Sequence, residues 1–401
     1  MVRSLSVAAI LAAVLSVHLS ASAQDKAAPQ VRFKRTQLDA KFRSEGVAVA
    51  DFNKDGKMDI AAGFVWYEAP GTPGKDEWKM HQLTDKEPDY NPKGYSNAFC
   101  CFAEDVNGDG WSDLLVVDFP GTPTWWFENP KETGKLWPKH TVTAVTNNES
   151  PQYLDLDGDG KKELLLGFAP STKESDGPDR QVGFAKPTKD PKEPWTLTAV
   201  SEKGVQGAKK YDHGIGVGDI NGDKRLDIMV ASGWWEAPAA ASETPWKFHA
   251  APFGQAAQMY AYDFDGDGDS DVITSSPHAF GLWWHEQVGP NQWKQHEISK
   301  EFSQIHGVML ADMNGDKLPD IVCGKRWWAH AAGDPGVNDP AVFYWFELKR
   351  ENGRPVWTPH QFDHNSGPGT QFEVADVNGD GLLDIISSNK KGVHYFEQTR
   401  E

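Results

Sequence analysis

Cysteine is scarce: three thiols in 401 residues cannot staple a chain of this length, which excludes a disulfide-built scaffold. Two of them, Cys100 and Cys101, are adjacent, so on a strand they point to opposite faces and a bond between them is strained. All three therefore read as buried thiols. Positive charge is also short. With 40 Lys+Arg against 58 Asp+Glu the formal charge is −18, which argues against a general binder of polyanions such as nucleic acid. Beyond the N-terminus no stretch approaches the roughly 18 apolar residues of a membrane helix. There is no Ser/His/Asp nucleophile motif, glycine-rich phosphate loop or zinc-type cysteine cluster. Core material is plentiful, at 39% hydrophobic and 11% aromatic with 17 Trp, so the chain is no acidic disordered tail.

Arg3 precedes an apolar run from Val7 to Val17 that ends in Ala21-Ser22-Ala23, the pattern of a secretory signal peptide. The expectation is a signal segment over 1–23 and a single domain over 24–401. The mature chain is expected to be monomeric, without a membrane span, and secreted or periplasmic. Asn148-Glu149-Ser150 fits an N-glycosylation acceptor, relevant only in a eukaryotic host.

One pattern recurs seven times. It reads Asp51-Phe-Asn53-Lys-Asp55-Gly56-Lys-Met-Asp59, then Asp105-Val-Asn107-Gly-Asp109-Gly110-Trp-Ser-Asp113, then Asp155-Leu-Asp157-Gly-Asp159-Gly160-Lys-Lys-Glu163. It continues as Asp219-Ile-Asn221-Gly-Asp223-Lys224-Arg-Leu-Asp227 and Asp263-Phe-Asp265-Gly-Asp267-Gly268-Asp-Ser-Asp271. The last two are Asp312-Met-Asn314-Gly-Asp316-Lys317-Leu-Pro-Asp320 and Asp376-Val-Asn378-Gly-Asp380-Gly381-Leu-Leu-Asp384. The mean spacing of about 54 residues indicates an array or a propeller rather than independent domains. Oxygen ligands at positions 1, 3, 5 and 9, with Gly at 6 for the sharp turn, match the start of an EF-hand-type calcium loop. The bidentate Glu at position 12 and the flanking helices are missing, so each loop is expected to be a β-hairpin cradling Ca²⁺. A single copy reads equally well as an Asx-type turn that binds nothing; seven in register favour calcium. Lys224 and Lys317 replace Gly in copies four and six, so the loops at Asp51, Asp105, Asp263 and Asp376 are the strongest candidates. Affinity on the order of 10⁻⁴ to 10⁻³ M is expected.

Around each loop four short strands can be read. A small-residue strand leads in, an apolar strand leads out, an aromatic strand such as Trp125-Trp126-Phe127-Glu128 follows, and the fourth begins with Trp, as in Trp78-Lys-Met-His81. Period-2 patterning without an amphipathic helix predicts an all-β fold, a seven-bladed β-propeller of four-stranded blades. The last repeat lacks its fourth strand, and Val31-Arg-Phe33-Lys-Arg-Thr-Gln-Leu38 has the pattern to supply it. The N-terminal strand is thus expected to complete the last blade and close the ring, pairing residues near Phe33 with those near Tyr395.

With these loops the chain resembles the FG-GAP or VCBS repeat propellers, related in fold to the integrin α-subunit head. The resemblance implies calcium in the hairpin loops and use of the opposite face for ligands. It does not fix a function, because such folds host adhesion, lectin and lyase activities alike.

On that opposite face, six residues before each loop's first Asp, stand Glu45, Phe99, Glu149, His213, Ala257, His306 and Thr370. Lys325, Arg326 and His330, with Asp334 beyond, follow the second strand of repeat six; Asn389, Lys390 and Lys391 follow that of repeat seven; His278 follows that of repeat five. Gln258 and Gln371 open inner strands, and Trp327, Trp328 and Trp125 adjoin long loops. A rim of His and Glu beside Lys and Arg has three uses. It can hold a transition metal, bind an acidic or hydroxyl-rich sugar, or supply a base and a cation for a β-elimination. The candidate catalytic residues are His213, His306, Glu45, Glu149, Lys325, Arg326 and His330. The candidate ligand contacts are Gln258, His278, Trp327, Trp328, Gln371, Asn389 and Lys390. His81, His140, His249, His296 and His360 track the fourth strand and read as repeat structure, and most Trp residues as wedges between blades. The insertions at Ser171 to Gln181 and Ala329 to Ala341 are expected to overhang the rim.

The primary expectation is a secreted calcium-binding propeller that binds an extracellular ligand, carbohydrate first, on the rim face. The alternatives are a polysaccharide lyase or sugar dehydratase, a carbon–oxygen lyase, and a protein adhesion module. The seven loops hold 23 of the 58 acids at ligand positions, leaving 35 against 40 basic residues. The negative charge therefore belongs to the loops, and an acidic polysaccharide on the other face is permitted.

Overall fold

Each acidic loop joins two antiparallel strands, and the fold is built on that hairpin. The computed structural model describes residues 30–71, 77–330 and 332–400; the expected signal segment lies outside them. In the first repeat β2 (Ala48–Ala50), β3 (Asp59–Ala62), β4 (Val65–Glu68) and β5 (Lys79–Gln82) pair in order. Repeat two is β6 (Cys100–Glu104), β7 (Asp113–Val117), β8 (Thr122–Phe127) and the first half of β9 (Lys139–Leu154). The second half of β9 opens repeat three, followed by β10 (Glu163–Phe168), β11 (Gln181–Lys186) and β12 (Thr196–Ala199). β9 therefore serves two repeats without a break; it shifts register between Leu165 and Gly167 on its partner, and Asn148 takes φ 70°.

Repeat four comprises β13 (Ile215–Gly218), β14 (Asp227–Val230), β15 (Gly233–Glu236) and β16 (Lys247–Ala250). Repeat five comprises β17 (Gln258–Tyr262), β18 (Asp271–Ser275), β19 (Phe280–Gly289) and β20 (Gln292–Ser303). First strands β13 and β17 pair in parallel, Ile215 opposite Gln258, which merges these two repeats into one sheet. Gly216 and Gly218 allow that approach: a Cβ on Gly216 would sit 2.2 Å from the Met259 carbonyl oxygen. Repeat six is β21 (Val308–Ala311), β22 (Asp320–Gly324), β23 (Phe343–Glu351) and β24 (Arg354–Asp363). The last repeat is β25 (Phe372–Ala375), β26 (Asp384–Asn389) and β27 (Gly392–Arg400), with β1 (Val31–Asp39) alongside β27. Phe33 faces Gln398 and Thr36 faces Tyr395 in that antiparallel pair.

Apolar side chains of neighbouring repeats pack into seven clusters among the described residues. One joins Val47, Ile60 and Tyr67 of the first repeat to Ile386, Val393 and Tyr395 of the last. Most Trp residues of the third strands, among them Trp66, Trp126, Trp234 and Trp284, are buried in these clusters. All three cysteines are buried free thiols, as expected. Among the described residues no helix is long and apolar enough to cross a membrane.

Candidate functional site

The acid at position nine of each loop is deeply buried and ties the hairpin together. Asp59 accepts N–H bonds from Phe52 (2.9 Å) and Ala69 (2.8 Å), and Asp113, Asp227, Asp271, Asp320 and Asp384 repeat the pattern. Burial raises the carboxyls of Asp59, Asp113, Asp227, Asp271 and Asp320 to about 7, with nearby loop acids adding to the rise. Position one accepts the loop's own amides, as Asp51 does from Asp55 and Gly56.

The loops differ as cation sites. At Asp263, Asp265 and Asp271 one oxygen from each carboxylate lies within 4.8 Å of the others, a donor set that fits a hard cation. Asp155, Asp157 and Glu163 converge equally closely. There, however, Lys186 of β11 extends its ammonium to Asp157 (2.9 Å), Asp159 (2.6 Å) and Glu163 (3.0 Å). An internal cation thus already neutralises the third loop. The sequence offers no hint of this, because Lys186 stands far along the chain from the acids it meets.

At the opposite ends of these strands, residues from several repeats meet. Glu149 ends 3.3 Å from His213 Nε2 and 3.6 Å from an Arg326 nitrogen, and Arg326 also pairs with Glu45. His306 and His330 rings lie 5.2 and 5.6 Å from His213 and 4.9 Å from each other, and His278 stacks on His330 at 4.2 Å. His330 Nδ1 bonds Asp334 at 2.8 Å, and His306 Nδ1 lies 3.2 Å from the Gln304 carbonyl oxygen. Asp334 also receives His278 at 3.5 Å and the Gln304 amide at 3.4 Å. Of the sequence candidates, Glu45, Glu149, His213, His278, His306, Arg326 and His330 are brought together, the last from the insertion expected to overhang the rim.

Burial sets the charge of the cluster. It lowers His306 far below the ordinary histidine value, and the surrounding imidazoles lower it further. Burial, then the Arg326 charge, takes His330 to about 4, and burial lowers His278. Burial works against ionisation of Glu149, yet the imidazoles of His213, His330 and His278 hold it below the usual carboxylate range.

Other candidates fall elsewhere. Gln371 accepts the Val47 amide and donates to the Val47 carbonyl, and Gln258 bridges Val308 N–H and the Thr370 carbonyl. Both are clamps between first strands rather than ligand contacts; they border a cavity of about 220 Å³ in which Glu373 is raised to about 8 by burial. Asn389 is likewise a clamp, donating to Gly367. Lys325 donates to Gln304 Oε1 at 3.1 Å, which makes it a support and not a free cation beside the imidazoles. Lys390 donates to the Trp328 carbonyl, lies 4.5 Å over Tyr95, and is lowered to about 6 by burial. Trp327 and Trp328 are half-buried neighbours 5.9 Å apart, under Lys391 and Lys93 respectively.

The fourth-strand histidines are repeat structure. His81, His140, His249, His296 and His360 each pair with the third-strand Glu, at 2.6 to 3.3 Å, and lie against the adjacent Trp. Sequence reasoning missed an aromatic border. Tyr95 and Tyr211 are 39% and 51% exposed and both touch Phe119, with Arg326 5.9 Å from the Tyr95 ring. Phe119 follows the second strand of repeat two, where His278 and Arg326 stand in theirs; that offset was the available signal.

Two stretches, residues 105–166 and 263–323, match the model of the FG-GAP-like repeat family. The chain carries FG-GAP-like repeats. The matched stretches span the hairpins of repeats two and three and of repeats five and six. No curated protein matches the sequence. Among solved structures, an Agrocybe aegerita lectin described as recognising non-reducing terminal N-acetylglucosamine aligns with a TM-score of 0.49 at 14% identity, over 92% of this chain and 85% of that one. Saccharomyces cerevisiae Sqt1 aligns with a TM-score of 0.45 at 10% identity, over 93% and 99%. The Photorhabdus luminescens Tc holotoxin pore aligns at 0.34 and 16% identity, over 85% of this chain and 16% of that one.

Proposed function

We propose that the FG-GAP-like repeats form a secreted, calcium-bearing propeller of seven blades, closed by β1, that binds an extracellular carbohydrate on the face opposite the acidic loops. The observation that carries the ligand reading is the meeting of a buried charged cluster, Glu149, His213, His306, His330 and Arg326, with the exposed rings of Tyr95 and Tyr211. Aromatic faces suit the apolar face of a sugar ring, and convergent polar groups fix its hydroxyl or carboxylate groups. In the calcium part of the proposal Asp263, Asp265 and Asp271 hold one ion, and bound Ca²⁺ neutralises the loop acids and stiffens the hairpin. The shared cluster of Val47, Tyr67, Val393 and Tyr395 supports closure of the ring.

Lyase or dehydratase chemistry is the second reading, favoured by His306. Its buried imidazole is neutral, with Nε2 unpaired, which suits a general base. Arg326 is the cation that would stabilise the developing enolate, since Lys325 is bonded to Gln304. A panel of neutral and acidic polysaccharides separates the readings. Carbohydrate binding predicts quenching of Trp fluorescence by at least one glycan, reduced in Tyr95→Ala and Tyr211→Ala; no response across the panel overturns it. Elimination predicts new absorbance from unsaturated products, absent in His306→Ala.

A further inference from the structure

Four of the clustered side chains have an oddity that sugar binding does not explain. Glu149 Oε2 and the Nε2 atoms of His213, His306 and His330 are buried and have no hydrogen-bond partner. One donor atom from each of these residues lies within 4.8 Å of the other three. Buried polar atoms left unpaired are destabilising, so a group of four points to a shared partner.

Hydrogen-bond geometry identifies its kind. The Gln304 carbonyl can only accept, so His306 Nδ1 carries a proton and the unpaired Nε2 is the atom left to present a lone pair. The Asp334 carboxylate fixes His330 in the same tautomer. Glu149 Oε2, a carboxylate oxygen with no hydrogen-bond partner, adds a third acceptor aimed at the same point. Even if His213 donates to Glu149 across their 3.3 Å separation, three acceptors still converge. A water has two protons and leaves one of them unsatisfied; a cation satisfies all.

We propose that Glu149, His213, His306 and His330 bind one divalent transition-metal ion of the zinc class. Three imidazoles and one carboxylate suit such an ion and not Ca²⁺, which takes about 6–8 oxygen ligands. Bonds of about 2.0–2.1 Å require the four donors to draw slightly closer. Asp334 and the Gln304 carbonyl are the outer groups that orient the rings. The site comes from strand β9 and three separate loops, so it exists only in the folded chain. The inference goes beyond the carbohydrate reading: it uses the same four side chains but does not require that a sugar binds. It competes with the elimination reading, because a metal-bound His306 is not available as a base.

The test uses the full chain, stripped with a transition-metal chelator and returned to excess Ca²⁺ so that the acidic loops do not compete. Co²⁺ is then titrated while visible absorbance is followed, and Zn²⁺ is added last. The expected result is one equivalent of Co²⁺ giving intense visible bands that Zn²⁺ abolishes, with loss of the bands in His306→Ala and in Glu149→Gln. His249→Gln, in a repeat-structure pair, should keep them. Asp334→Asn is expected to weaken Zn²⁺ binding about tenfold to a hundredfold. Folded wild-type protein without visible bands overturns the proposal whether or not any variant folds, as do bands unchanged in both cluster variants. Because glycan quenching is read separately, loss of either result leaves the other standing.

Discussion

At the residue scale the position-nine acids show how one side chain serves two ends. Asp320 is buried and takes the amides of Met313 and Leu348 at 2.9 and 2.8 Å. Asp320→Ala leaves both N–H groups without a partner, at about 1–3 kcal/mol each. Urea unfolding in chelator should therefore show a loss of a few kcal/mol, with Asp320→Asn intermediate because its amide oxygen can still accept. A loss under about 0.5 kcal/mol, the size of an ordinary surface substitution, would make the acid a metal ligand only. His285 gives a pH signature of its own. Buried beside Thr274 at 2.8 Å, it is lowered to about 4 by burial. A depressed folded value means that the neutral ring is favoured by folding; its contribution is full above the unfolded value near 6.5 and is lost as pH falls toward 4. The full effect is about 3 kcal/mol. Stability measured at pH 7.5 and pH 5 should fall less in His285→Gln than in the wild type.

At the element scale the third hairpin and the first strand make separate predictions. Lys186 bridges Asp157, Asp159 and Glu163, so this loop should be indifferent to calcium. Lys186→Met removes the internal cation and leaves the acids to repel one another. The variant should melt lower than wild type in chelator and recover on adding Ca²⁺; equal melting in both conditions would show that the lysine is incidental. β1 lies along the whole of β27, from Val31 opposite Arg400 to Asp39 opposite Val393. Removing residues 30–40 exposes that edge, and a lower thermal midpoint with concentration-dependent aggregation is expected. A truncated chain as stable as the full one would contradict ring closure by this strand.

At the molecular scale the charge of −18 is concentrated in hairpin loops at one end of the sheets. If the six loops other than the third bind, six Ca²⁺ would bring it from −18 to −6, so calcium should slow migration toward the anode and raise the thermal midpoint together. Equal mobility and melting with and without chelator would contradict the calcium proposal. The seven-fold repeat was legible because its signals are local: acids at fixed spacing, Gly at the turn, aromatic and Trp-led strands in fixed order. The strand β1 was legible too, since a missing fourth strand and an unassigned strand-like segment point to each other. The continuous β9 was not, because nothing near Asn148 distinguishes a bend within a strand from a loop between two.

The cluster divides along the same line. By itself the sequence determined the hairpins, their acids and the shared repeat position of Glu45, Glu149, His213 and His306, because an offset from a repeated motif survives folding. Only the tertiary structure decided which neighbours each side chain meets. Gln258 and Gln371 look like ligand contacts by type and position, yet backbone groups of other repeats claim their amides. Asp334 stood in a long insertion that no periodicity covers, yet it orients His330 and meets His278. Position along a repeat is set by local backbone geometry; which side chains and backbone groups of other repeats come within reach is set by segments far apart in the sequence.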